Sequence, residues 1–284
     1  MKNTIQIFAI FFSLITVFSC DSKRDLNGDL LFGLNPVEGD GDNNPTPAPD
    51  RLLKKMISHV YDEDMEEWED QSIILNYEDK KLVSYEDEES GEKMDIEYNS
   101  SNKISKITTG AAMNSVFEYS GNNISKITTT YTGLSTAVTT YTYNGNKMVK
   151  SVTIMDISFP MPVKTYTEDT YEYQGNNVTK NTTKIGVYNP FTGNLEIDPG
   201  SLISLYEYDN KNSPYSLLPK EFTQFFSSIS PQAGFYNSAN NPVKSTMTDQ
   251  EGNTTVHTIN HTYDAENYTI KSTSGDEFYI YEYQ

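Results

Sequence analysis

Basic residues are scarce in this chain: 21 lysines and arginines stand against 40 aspartates and glutamates, a formal net charge of −19 at pH 7. A surface that negative repels nucleic acid and anionic headgroups, which excludes a nucleic-acid partner and leaves cations, neutral ligands such as sugars, and proteins. Cysteine is scarcer still. The single thiol, Cys20, excludes any disulfide within the chain. Only three histidines occur, and His257 and His261 are four apart between neighbours that read as strand (Thr254-Thr255-Val256, Thr262-Tyr263). At about 3.3 Å per residue they would stand roughly 13 Å apart, beyond shared ligation. There is no Gly-x-Ser-x-Gly elbow, no phosphate-cradling glycine loop and no thiol beyond Cys20. Forty acids admit a glycosidase pair by count alone, but nothing selects one. No metal, cofactor or catalytic residue is assigned, and the chain is not read as an enzyme.

Long apolar runs are also missing, apart from one uncharged stretch from Ile5 to Phe18 behind Lys2. It is shorter than the roughly 20 residues a spanning helix needs and reads as the core of a secretion signal, residues 1–19. Its end, Val17-Phe18-Ser19-Cys20, resembles the lipobox read by bacterial lipoprotein signal peptidase. Cys20 is therefore the expected lipidation site, carrying acyl chains such as palmitate; an ordinary signal peptide with an incidental cysteine is the alternative. Residues 20–50 alternate Gly, Asp and Asn and then place Pro45, Pro47 and Pro49 at every second position, the composition of a tether.

Residues 51–284 repeat. One phrase recurs at Tyr98 (YNSSNKISKIT), Tyr119 (YSGNNISKIT), Tyr143 (YNGNKMVKSV) and Tyr173 (YQGNNVTKNT), with weaker copies at Tyr77 and Tyr263. Each follows an alternation such as Tyr141-Thr142-Tyr143 or Tyr171-Glu172-Tyr173, which means strand. Gly121-Asn122, Gly145-Asn146 and Gly175-Asn176 then sit at the centre of two-residue hairpin loops of type I′ or II′. A strict period of two sets Tyr119 against Ile124, Phe117 against Lys126 and Glu118 against Ser125, and likewise Tyr141 against Lys150 and Tyr171 against Lys180. On that register lysine stems lie along the rings of an aromatic face.

Consecutive hairpins predict an all-β antiparallel meander of on the order of sixteen strands, too many for an open sheet, hence strongly curled or closed into a barrel. The other face, of Thr, Ser, Glu and Lys, cannot supply the apolar band of a membrane barrel. A short helical insertion is expected near 214–230, among Pro214, Pro219 and Pro231, with Phe222, Phe225, Phe226 and Phe235 buried. The acidic run Asp62, Glu63, Asp64, Glu66, Glu67, Glu69 and Asp70 around Trp68 lacks the glycine of a calcium loop and reads as a solvated loop. Asp25-Leu26-Asn27-Gly28-Asp29 starts like such a loop but places Pro36 where the twelfth-position Glu belongs.

The Tyr-x-Gly-Asn-Asn-Ile-x-Lys-Ile phrases, Tyr206 to Pro214 (YEYDNKNSP) and Asn240-Asn241-Pro242-Val243, behind a lipobox, resemble a family of Bacteroidota lipoproteins of unknown function with a porin-like β fold. The short phrase also has a distant likeness to the tyrosine-aspartate repeats of large secreted toxins and adhesins, without their regular Asp and Arg. The family resemblance implies an envelope location, lipid-anchored to the outer membrane on its periplasmic or surface face, and no known catalytic residue. The expected role is a binding or scaffolding module, monomeric, with the membrane as one partner through the lipid and a glycan or envelope protein as another. A hydrolase acting on envelope glycans or peptides is the alternative.

Overall fold

The computed structural model describes residues 51–62, 67–158, 161–228 and 233–284; Cys20, the signal and the tether lie outside them. One antiparallel sheet carries β1 (Leu53–Asp62), β2 (Glu67–Glu78), β3 (Lys81–Asp87), β4 (Lys93–Tyr98), β5 (Ile104–Thr109) and β6 (Met113–Ser120). It continues through β7 (Asn123–Tyr131), β8 (Ser135–Asn144), β9 (Lys147–Ile157), β10 (Val163–Gln174), β11 (Asn177–Tyr188) and β12 (Leu195–Ile197). The last members are β13 (Leu202–Asn212), β14 (Asn240–Thr248), β15 (Thr254–Thr258), β16 (Asn260–Tyr263), β17 (Thr269–Ser274) and β18 (Glu277–Tyr283). Apart from two joins each strand pairs with the next in sequence, and β1 pairs with both β2 and β18, so the meander returns on itself. One irregular join is the handover at Ile259, where β15 pairs with β14 and β16 with β17. Short β12 fills a gap where β11 leaves β13. The sheet is thus nearly closed into a barrel, as the strand count required.

The register differs from strict alternation in one repeated way. Tyr119 does pair with Ile124, but the ladder then slips, so that Glu118 meets Lys126 and Phe117 meets Ile127. The same slip follows Tyr77, Tyr98, Tyr143 and Tyr173, where Leu82, Ile104, Met148 and Val178 are followed by one extra residue. Each is a β-bulge. The expected Phe117–Lys126, Tyr141–Lys150 and Tyr171–Lys180 pairs are therefore wrong, and the reason is the cost of burying an ammonium. A bulge turns the lysine outward and brings the residue three positions on to the inner face: Ile124 and Ile127 are 1% and 2% exposed, and in β9 and β11 the inward residue is Ser151 or Asn181. Outside, the lysines meet glutamates: Lys106–Glu97 (3.0 Å), Lys126–Glu118 (2.6 Å), Lys180–Glu172 (2.8 Å) and Lys244–Glu207 (2.7 Å). Such exposed pairs are worth about 0–1 kcal/mol each and specify register more than stability.

The hairpin loops divide by chemistry. Gly145 has φ +59° whereas Asn146 has no positive φ, the sign pattern of a type II′ turn. The weaker copy instead holds Asp79 and Lys80 at +48° and +63°, as type I′ requires.

The insertion between β13 and β14 enters the barrel. A 3-10 turn (Pro214–Leu217) leads to α1 (Lys220–Ser227) and a single-turn helix α2 (Ala233–Tyr236). Phe222 and Phe225 are each 1% exposed; they pack on Tyr85 and Phe117, with ring centroids 5.9 and 6.0 Å apart. Phe226 is buried too, and Phe235 meets Tyr206 edge-on at 6.2 Å. Each buried ring contributes about 1.5–3 kcal/mol by leaving water. The helical prediction for 214–230 holds, with α2 as an addition.

Candidate functional site

The end of the barrel bearing the Gly-Asn turns is organised by the last tyrosine of each hairpin. The Tyr98 hydroxyl donates to the Leu82 carbonyl (2.9 Å), Tyr119 to Ile104 (2.5 Å), Tyr173 to Met148 (2.8 Å) and Tyr208 to Val178 (2.5 Å). Each acceptor belongs to the residue ahead of the preceding hairpin's bulge, so the tyrosines staple neighbouring hairpins together. Burial pushes the Tyr173 phenol up to about 12, which keeps the donor protonated. A lysine just after three of the turns lies over the next hairpin's tyrosine: Lys81 over Tyr98 (5.7 Å), Lys103 over Tyr119 (5.0 Å) and Lys147 over Tyr173 (5.5 Å). At the equivalent place after the Gly121 turn stands Asn123, and Lys220 of α1 supplies the missing cation over Tyr143 at 5.8 Å. Lysine stems do lie along rings, but they are these turn lysines and not Lys126, Lys150 or Lys180.

Between the plug and this end of β9–β11 is a cavity of about 240 Å³. Two further cavities, beside His261 and beside Phe222, are about 50 and 30 Å³. Tyr173, Tyr215 and Tyr236 give the larger one aromatic walls, and Met148 and Leu218 fill between them. Lys147 donates to the Gly175 carbonyl and Lys220 to the Asn146 carbonyl (2.5 Å), so both ammonium groups sit at its turn-side edge. Burial pulls the Lys220 ammonium below its ordinary value. The far wall is fixed by the chain returning from α2. The Ala239 amide donates to Asn177 Oδ1 (3.0 Å), the Val178 amide to Ser238 Oγ (3.0 Å), and Ser238 Oγ to Tyr208 (2.9 Å). Gln224 of α1 accepts from the Tyr143 hydroxyl (3.2 Å). Asn237 Nδ2 is buried in the same lining with no hydrogen-bond partner.

Deeper in the lumen is a half-buried carboxylate. Asp169 accepts from Thr183 Oγ1 (2.5 Å) and Asn181 Nδ2 (3.4 Å), and burial raises its pKa above the ordinary carboxylate value. The histidines are apart along the handover: His257 pairs with Ser245 across β14–β15, while His261 reaches Ser272 Oγ (2.8 Å) and the Pro242 carbonyl (2.9 Å). The acidic run is not a loop throughout. Trp68, Glu69 and Asp70 are strand residues of β2 opposite Tyr61, Val60 and His59, and residues 63–66 lie outside the described ones. His59 is stacked between Trp68 (4.7 Å) and Phe278 (4.9 Å). Strand pairing with β1 outweighs the charge density that suggested a loop.

No protein-family model and no curated protein matches the chain. Among solved structures, a porin-like protein from Bacteroides uniformis superposes with a TM-score of 0.52 at 12% identity, over 82% of this chain and 98% of that one. The fold is porin-like. A Photorhabdus luminescens Tc holotoxin pore matches at TM-score 0.30 and 9% identity, over 78% of this chain and 13% of that one, a superposition too loose to argue from. The porin-like wall here is apolar inward and ion-paired outward, which is the reverse of what a lipid-facing barrel needs.

Sequence reasoning did not find the cavity. Its plug-side lining, from Tyr215 to Ala239, belongs to the segment that broke the repeat, and that break was the available signal.

Proposed function

We propose that this chain is a binding module of the cell envelope, anchored by lipid on Cys20 to the outer membrane, which holds a small ligand at the plugged end of its barrel. The observation that carries this reading is the cavity of about 240 Å³, walled by three tyrosines and edged by polar groups, at the end where the plug meets the turns. Aromatic walls with a few convergent polar groups suit sugars and small polar metabolites. A lumen filled by Phe222, Phe225 and Phe226 leaves the barrel as a scaffold and not a conduit. The envelope part of the reading is supported by the resemblance of Val17 to Cys20 to a lipobox and by the porin-like fold. The reading has the protein bind without turning over its ligand.

The test is a glycan and metabolite array probed with the full chain in detergent, beside a panel of glycan and peptide hydrolase substrates. Retention of a small ligand that is lost when Ser216→Trp fills the cavity supports the reading. Turnover of any panel substrate, or ligand capture that Ser216→Trp leaves intact, overturns it.

A further inference from the structure

We infer that the plug-end cavity takes an anionic ring, a sugar acid whose carboxylate faces Lys147 and Lys220 and whose ring lies among Tyr173, Tyr215 and Tyr236; this rests on the binding reading above. The chain has 40 acidic residues, yet none lines this cavity, while two lysines do. In a protein of formal charge −19 that is a local inversion of sign, set at the rim of an open-sided cavity with aromatic walls, and Glu221, next to Lys220 in sequence, is outside the lining. The lysines after the bulges are matched to glutamates, whereas Lys147 and Lys220 contact turn carbonyl oxygens, as Lys103 does at Gly121; among these, Lys147 and Lys220 are the two that line one cavity. An ammonium has three N–H donors, and one of each is committed to a turn carbonyl. The others face a lining that carries neutral acceptors, such as Asn176 and Ser216, and no carboxylate. Asn237 Nδ2, buried there with no partner, adds a third donor.

Volume decides the size class. About 240 Å³ corresponds to roughly eight waters of liquid volume, room for one sugar ring within the cavity. A planar carboxylate can accept from both ammonium groups, and the tyrosine faces can stack on the apolar face of a pyranose. A phosphate would satisfy the lysines equally but leave the aromatic walls without a partner.

Calorimetry with the full chain in detergent tests this, using glucuronate, glucose, acetate and inorganic phosphate as separate probes. Glucuronate is expected to bind, with glucose, acetate and phosphate each weaker by about tenfold or more, since a charge-assisted contact is worth about 1.5–3 kcal/mol. Lys147→Met with Lys220→Met keeps the stems and removes the charges. That double variant, checked for an unaltered circular dichroism spectrum, should lose the glucuronate preference over glucose. Single Lys220→Met should retain part of it, which guards against a double variant that fails to fold. If glucose binds as well as glucuronate, or the preference survives in the double variant, the charge assignment is wrong while the cavity stands as a binding site. If phosphate or acetate matches glucuronate, the ring is not recognised and the inference is overturned. Absence of glucuronate binding overturns it as well.

Discussion

Replacing Gly145 with valine isolates a single physical term. Gly145 has φ +59°, and a Cβ built there meets nothing within 4 Å, so the substitution introduces no clash and its whole cost is conformational. A β-branched residue held at positive φ costs about 1–3 kcal/mol. For a body of this size each kcal/mol moves the melting temperature by about 2–4 °C, which gives an expected fall of about 2–12 °C. Gly145→Asn should fall less, because asparagine tolerates positive φ. Thr142→Ser is the control: Thr142 is exposed and pairs outward with Lys150, and it should stay within about 0.5 kcal/mol. Gly186→Ala gives the opposite case. Its φ is not in the positive range, but its Cβ would fall 2.6 Å from the Glu196 carbonyl, so the cost there is steric. Urea melts of the four variants provide the comparison. A silent Gly145→Val, or a Thr142→Ser costlier than it, would refute the hairpin turn and the register built on it.

Tyr119→Phe removes the hydroxyl that donates to Ile104 at 2.5 Å, and should cost about 0.5–1.5 kcal/mol with the fold unchanged; no loss of stability in urea melts would show that the staple is idle. Desolvated in the lumen, Asp169 keeps its proton to a higher pH than it does unfolded, so stability falls as pH rises from the ordinary carboxylate value to the raised one, by at most about 1.4 kcal/mol per pH unit. Asp169→Asn should flatten that slope and raise stability at neutral pH, and an unchanged pH profile in urea melts would sink the argument. Cys20→Ala should release the protein from the membrane fraction, and failure of labelled palmitate to enter the native chain would disprove the anchor.

Much of the barrel was legible because its information is local. The Gly121-Asn122, Gly145-Asn146 and Gly175-Asn176 pairs specify where the chain turns, and the Tyr-x-Tyr alternation specifies which face goes inward. Repetition of that unit then forces curvature and near-closure, since sixteen or so strands cannot stay open. The bulges were also written in the sequence, as apolar residues three apart at Ile104 and Ile107 and at Ile124 and Ile127. Strict period-two reading passed over them because it counts positions without weighing the cost of a buried lysine.

What only the tertiary structure decided is what meets across long separations. Lys220 lies over Tyr143, 77 positions earlier, because the preceding hairpin has Asn123 where its neighbours have lysine; no local pattern relates the two. The cavity has the same origin. Lys147 and Tyr173 come from the repeat and Tyr215, Lys220 and Tyr236 from the plug, and only the insertion folding back into the lumen sets the two lysines beside one apolar space. Periodicity specifies a strand's two faces, while the contents of a lumen depend on closure, which is a property of the whole chain.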